Sequence, residues 1–233
     1  MGAGEGHAII PAMQKNEPIF LRRVLAWSVH LLTASGAAWG FLALLAFQDG
    51  DLRMAMVWMI VSVVVDSFDG TLARAVNVRK YAPGIDGALL DNILDYFTYV
   101  IVPAYALYQV DLLPAGWGLV GAISILLTSA YQFSQVDAKT EDHYFLGFPS
   151  YWNVVAFYLY LLDLPAGGAL AVLLAFAGLT FVPARYLYPT EGGFLNRTTR
   201  LLGLVWAAGV VAAVWRWREA PRALVGSTLA FPA

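Results

Sequence analysis

Four aspartates recur at helical spacing in two stretches that are otherwise apolar enough to cross a bilayer. They read Asp66-x2-Asp69-Gly70-x2-Ala73-Arg74 and, after twelve residues, Gly87-x3-Asp91-x3-Asp95. A charge inside a membrane segment costs about 2.5–3.5 kcal/mol on insertion scales, so its presence there points to a site. Residues three and four apart share one face of a helix. Asp66, Asp69, Gly70 and Ala73 therefore form one stripe, and Gly87, Asp91 and Asp95 a second. The small residues in each stripe let a ligand or another helix approach the backbone. Carboxylates this close stay ionised only with compensation, through protonation or a bound cation. An all-oxygen donor set suits a hard cation such as Mg²⁺, Mn²⁺ or Ca²⁺. His7, His30 and His143 all lie away from both stripes in the sequence, which weakens zinc and di-iron readings. Paired hard cations commonly clamp the attacking and leaving oxygens of a phosphoryl displacement. The same acids also permit a cation or proton pathway, or an ion-pair network with Arg74 that only stitches helices together.

The elements that must carry these residues are membrane helices. Of 233 residues, 60% are hydrophobic and 13% charged, with a mean hydropathy of +0.65. Soluble domains carry about 25% charged residues. A net charge of −2 gives no basic field for nucleic acid, and the absence of cysteine excludes disulfides and thiolate metal sites. Met1–Phe20 lacks an apolar core and does not read as a signal peptide. Spans of sufficient length are expected at Val24–Phe47, Met54–Val76, Ala88–Gln109, Trp117–Gln135, Tyr151–Leu162, Ala166–Tyr186 and Leu201–Trp217. The expected fold is thus an all-α polytopic membrane protein of about seven spans, six to eight, with the site between spans two and three. Residues 1–23 form a tail with an interfacial segment, 24–218 the membrane domain and 219–233 a second tail.

With the N-terminus inside, ten of the fourteen Lys and Arg residues fall on the cytoplasmic side: Lys15, Arg22, Arg23, Arg74, Arg79, Lys80, Lys139, Arg185, Arg197 and Arg200. That asymmetry favours this orientation. It brings all four aspartates to the cytoplasmic end. Arg216, Arg218 and Arg222 dissent, and a further short segment near Ala223–Phe231 would return them to the cytoplasm.

The complete pattern resembles the signature of the CDP-alcohol phosphotransferases. The twelve-residue spacer between Arg74 and Gly87 is longer than in most of that family and is similar to that of its bacterial phosphatidylcholine synthases. The resemblance covers about Val24 to Pro189. It implies an enzyme of the bacterial inner membrane that transfers the phosphatidyl group of CDP-diacylglycerol to choline and releases CMP. It implies two divalent cations, Mn²⁺ or Mg²⁺, held by Asp66, Asp69 and Asp91, with Asp95 completing the second site and acting as general base. Asp66, Asp69, Gly70, Ala73, Arg74 and Gly87 would form the nucleotide pocket, with Gly87 clearing space for the pyrophosphate. Many relatives are homodimers. Other acceptor alcohols (serine, inositol or glycerol phosphate) stay open, and a divalent-cation transporter is the reading from a different class.

Choline, a quaternary ammonium, calls for aromatic faces, and Tyr96, Tyr99, Tyr131, Tyr151 and Trp152 are the residues on hand. Aromatics make up 14% of the chain and collect at membrane interfaces in any case. Arg79 and Arg185 stand where a lipid-linked phosphate would need a cation. Asp86, beside the motif, would either assist the cations or start span three.

Overall fold

The computed structural model describes residues 18–135, 144–187 and 196–216. Helix α1 (Ile19–Gln48) and helix α2 (Leu52–Val76) form an antiparallel pair, and each is long and apolar enough to cross a bilayer. Asp51 closes the turn between them by accepting from the Met54 amide at 3.0 Å, which caps α2. Trp39 and Trp58 stack across the pair with ring centroids 5.6 Å apart.

The twelve-residue spacer contains a short helix of its own, α3 (Val78–Tyr81). Val78 and Ala82 are buried against Ala26 and Val29 of α1. Arg22 donates to the Tyr81 hydroxyl oxygen at 2.6 Å and lies over its ring. The longer spacer is therefore tied to the first turns of α1.

Helix α4 (Gly87–Asp95) runs without a break through a π-helical turn (Tyr96–Ile101) into α5 (Val102–Gln109), so the third expected span is one rod whose register changes directly after Asp95. Pro103 has no amide hydrogen and cannot make the α-helical bond to the carbonyl four residues back. The turn before it widens, and the Val102 amide bonds Phe97. Gly36 and Gly40 let this rod approach α1. A Cβ at Gly40 would meet the Phe97 ring at 2.5 Å, and one at Gly36 would meet Leu94 at 3.1 Å.

Helices α6 (Gly118–Ser134), α7 (Trp152–Leu161), α8 (Ala166–Leu179) and α9 (Asn196–Arg216) complete the described helices. One core joins α1, α2, α5, α7 and α9 through Ala43, Met56, Ala106, Phe157 and Ala213. A second joins the rod to α6, α7 and α8 through Val100, Ile125, Trp152 and Leu173. Leu31, Phe41, Val64 and Leu127 face outward and exposed, as side chains do when the solvent is hydrocarbon.

The helices follow the expected order, and a two-stranded antiparallel ribbon departs from a purely helical chain: β1 (Tyr144–Leu146) pairs with β2 (Arg185–Leu187). The span expected to reach Tyr186 ends as helix at Leu179, and Arg185 pairs its backbone with Leu146. Gly147 makes the next turn with a positive φ of 78°, where a Cβ would collide with the Thr180 carbonyl oxygen. Both expected tails, Lys139 and the segment near Ala223–Phe231 lie outside the described residues.

Candidate functional site

A cleft opens where α1, α2 and the rod converge, lined by Thr33, Gly36, Ser62, Asp66, Asp69, Asp91, Leu94, Asp95 and Thr98. Helical spacing delivers the acids from two sides, Asp66 and Asp69 from α2, Asp91 and Asp95 from α4. Asp66, Asp91 and Asp95 each offer a carboxylate oxygen, and these atoms lie within 4.8 Å of one another. Three anionic oxygens that close fit a hard divalent cation. Asp69 stands outside this triad. It is 6% exposed and within hydrogen-bonding reach of the Thr33 side chain.

The register change after Asp95 carries Tyr99 to the cluster, where its hydroxyl donates to Asp66 Oδ2 at 2.8 Å. π turns concentrate at functional sites, and this one begins on the residue after the last motif acid. Arg74 turns away from an ion-pair role: it is exposed, and its Nη2 donates to Thr71 Oγ1 at 3.3 Å. Ala73 is half-buried against the contacts of α3. A Cβ on Gly70 would meet only Arg74 Nη1, at 3.6 Å, so open space adjoins it. Gly87 differs. The His30 imidazole, not open space, faces it, with Cε1 3.3 Å from the position of a Cβ. Asp86 starts α4 as an N-cap, accepting from the Ala88 and Leu89 amides at 3.0 and 3.1 Å.

The aromatics divide. The Tyr96 hydroxyl donates to the Leu126 carbonyl at 3.0 Å, and its ring meets Phe133 edge-on. Tyr99 and Tyr151 lie 6.0 Å apart at a tilt. Tyr131 pairs with Phe181 at 4.9 Å and is half-exposed. Trp152 is fully buried, with its Nε1 donating to Ser129 Oγ at 2.8 Å and its ring against Phe148. Arg79 is exposed on α3, and the side chain of Arg185 lies outside the described residues.

Sequence reasoning left out the contribution of α1. His30, Thr33, Gly36 and Gly40 form a polar and small stripe at helical spacing inside an apolar span, a signal of the same kind as the aspartate stripes.

The comparisons with known proteins agree with this geometry. The sequence profile of the family described as CDP-alcohol phosphatidyltransferase matches residues 26–183, which includes all four aspartates and every residue that lines the cleft. The chain is 43% identical over 174 residues to a phosphatidylcholine synthase of Legionella pneumophila, covering 74% of this chain and 68% of the relative. It is 41% identical over 169 residues to one of Pseudomonas aeruginosa, covering 72% and 71%. A phosphatidylcholine synthase of Rhizobium johnstonii is 37% identical over 183 residues, covering 78% and 76%. With its profile matched across both motif stripes, and relatives aligned along most of its length, this chain belongs to the CDP-alcohol phosphatidyltransferase family.

Proposed function

We propose that the protein is a phosphatidylcholine synthase, which transfers the phosphatidyl group of CDP-diacylglycerol to choline and releases CMP. The observation that carries this reading is the carboxylate cluster of Asp66, Asp91 and Asp95 in a chain whose relatives bear that name. Asp66, Asp91 and Asp95, with Asp69 beside them, would hold Mn²⁺ or Mg²⁺. Such cations supply charge neutralisation to the reacting phosphate and the departing CMP. Asp95 takes the proton of the choline hydroxyl. The choline oxygen then forms a bond to the phosphorus that bears diacylglycerol. The bond from that phosphorus to the CMP oxygen breaks, and CMP leaves with the bonding pair. The proton on Asp95 passes to water, which restores the base.

Open space beside Gly70, with Ala73, Arg74 and Gly87 at the same end of α2 and α4, suits the nucleotide. Tyr99 and Tyr151, near the acids, offer the ring faces that an ammonium without protons needs. Tyr96, Tyr131 and Trp152, engaged with Phe133, Phe181 and Ser129 respectively, stand further from this pocket in the reading. Arg79 and Arg185 would attract the anionic lipid head. In this reading α1, α2, the rod, α6, α7, α8 and α9 correspond in order to the seven expected spans of a bacterial inner-membrane protein, and α1 and α2 are long and apolar enough to cross a bilayer. The Lys and Arg distribution supports a cytoplasmic N-terminus and site.

Incubation of the purified protein with CDP-diacylglycerol, Mn²⁺ and choline, serine, inositol or glycerol phosphate in turn tests the acceptor. Phosphatidylcholine should be the product formed. Phosphatidylserine alone would refute choline while keeping the reaction class. Metal flux into liposomes without CMP release would refute both.

Tyr99→Phe tests the support of the cluster. Loss of a hydrogen bond to a charged group costs about 1.5–3 kcal/mol. Turnover should therefore fall about tenfold or more, and higher Mn²⁺ should restore part of it in steady-state assays.

A further inference from the structure

His30 is a buried polar side chain beside the cleft that the proposed reaction leaves unused. It is 5% exposed, and its Nε2 has no hydrogen-bond partner among the described residues. Leaving such an atom unmatched is costly, and a native structure keeps one for a reason. Its surroundings are constructed. Ala26 and Val29 beside it on α1 are buried under Val78 and Ala82 of the spacer helix. Trp27 meets its ring edge-on at 6.1 Å. The imidazole then abuts Gly87, the first residue of α4, where any Cβ would press on its Cε1. One turn further along α1, Thr33 enters the cleft and reaches Asp69. The stripe His30, Thr33, Gly36 thus runs from the polar end of α4 down to the acid cluster.

The cleft is lined by Thr33 but not by His30, which lies one turn beyond it on α1 and abuts Gly87. With the diphosphate at Asp66, Asp91 and Asp95, the proposed nucleotide would extend its nucleoside past this lining toward the polar ends of α2 and α4, where Gly70 and Gly87 stand. We infer that His30 is a nucleotide-positioning residue, whose Nε2 hydrogen-bonds the cytidine portion of the substrate between α1 and the start of α4. This rests on the reading of the aspartate cleft as the CDP-diacylglycerol site. The spacer helix acquires a purpose in it: by packing on Ala26 and Val29 it closes one side of the His30 compartment. The ligand class is a cytidine nucleotide, whose base and ribose offer hydrogen-bonding groups to Nε2.

The test is CMP binding to the purified full-length protein with Mn²⁺ present, by calorimetry, together with the KM values for both substrates. His30→Phe keeps the ring and removes the nitrogens, and His30→Leu repeats the experiment in case the Phe variant does not fold. The expected result is CMP affinity about tenfold weaker, the cost of one lost hydrogen bond. KM for CDP-diacylglycerol should rise by a similar factor, with KM for choline and the melting temperature unchanged. His30→Gln, which retains a donor and an acceptor, should recover most of the affinity. Gly70→Leu, which fills the open space beside that residue, should abolish CMP binding. Wild-type CMP affinity in His30→Phe, with binding lost in Gly70→Leu, overturns the His30 assignment alone. Wild-type affinity in Gly70→Leu overturns the nucleotide site and the inference with it. Equal rises in both KM values with a lowered melting temperature would mean a structural role, and also overturn it.

Discussion

Replacing Asp95 by Asn should lower turnover by about a thousandfold while CDP-diacylglycerol still binds. The amide is nearly isosteric with the carboxylate, so the cleft keeps its shape, but it takes no proton from an alcohol. General base catalysis contributes about 10²–10⁴ in rate, and a choline hydroxyl attacks poorly without it. Asp95 also belongs to the three-carboxylate cluster with Asp66 and Asp91. Some cation affinity therefore goes with it, and Asp66 and Asp91 retain the rest. The measurement is a comparison of kcat with CMP affinity in the same preparation. Turnover near that of wild type would refute the base assignment.

Asp91→Asn should fail in a different manner. Asp91 enters the cluster from α4, opposite Asp66 on α2, so its loss leaves that side of the cluster to Asp95. Removing even an outer partner of a ligand costs about 10–100-fold in metal affinity. Loss of a carboxylate ligand itself should reach at least about a hundredfold. Mn²⁺ titration followed by electron paramagnetic resonance reads this directly. Nucleotide binding should decline in parallel, because the diphosphate depends on the same charge, and turnover should fall by about a thousandfold. Activity restored by excess Mn²⁺ in Asp91→Asn, though not in Asp95→Asn, separates a ligand from a base. Equal Mn²⁺ affinity in wild type and Asp91→Asn would remove Asp91 from the cation site.

The helical order and the aspartate cluster were legible because both rest on local rules. Apolar length marks the membrane segments, and spacing of three and four puts acids on one face. What escaped depends on contacts between segments distant in sequence. Tyr99 read as one aromatic among many, yet it donates to Asp66 across helices. The π turn that carries it was signalled only by Pro103, whose effect on register depends on the packing around it. Trp152 had the composition of an interface residue and fills the core instead, fixed by Ser129 from another helix. Gly87 was expected to leave room for a ligand and in fact receives His30 from α1. The ribbon between β1 and β2 pairs two connecting segments, neither of which forms a strand by itself. Arg185 was expected to end a span, and its backbone belongs to that ribbon. The spacer length carried information about kinship that the structure turns into a physical statement. The spacer builds α3, which docks on the first helix beside His30.

The central claim is that choline oxygen attacks the phosphorus of CDP-diacylglycerol at the aspartate cluster. Choline labelled with heavy oxygen at its hydroxyl tests it most directly, by mass spectrometry of both products from the wild-type protein. Attack at phosphorus predicts phosphatidylcholine that carries the heavy oxygen and CMP that does not. Unlabelled phosphatidylcholine, or no choline lipid at all, would contradict it.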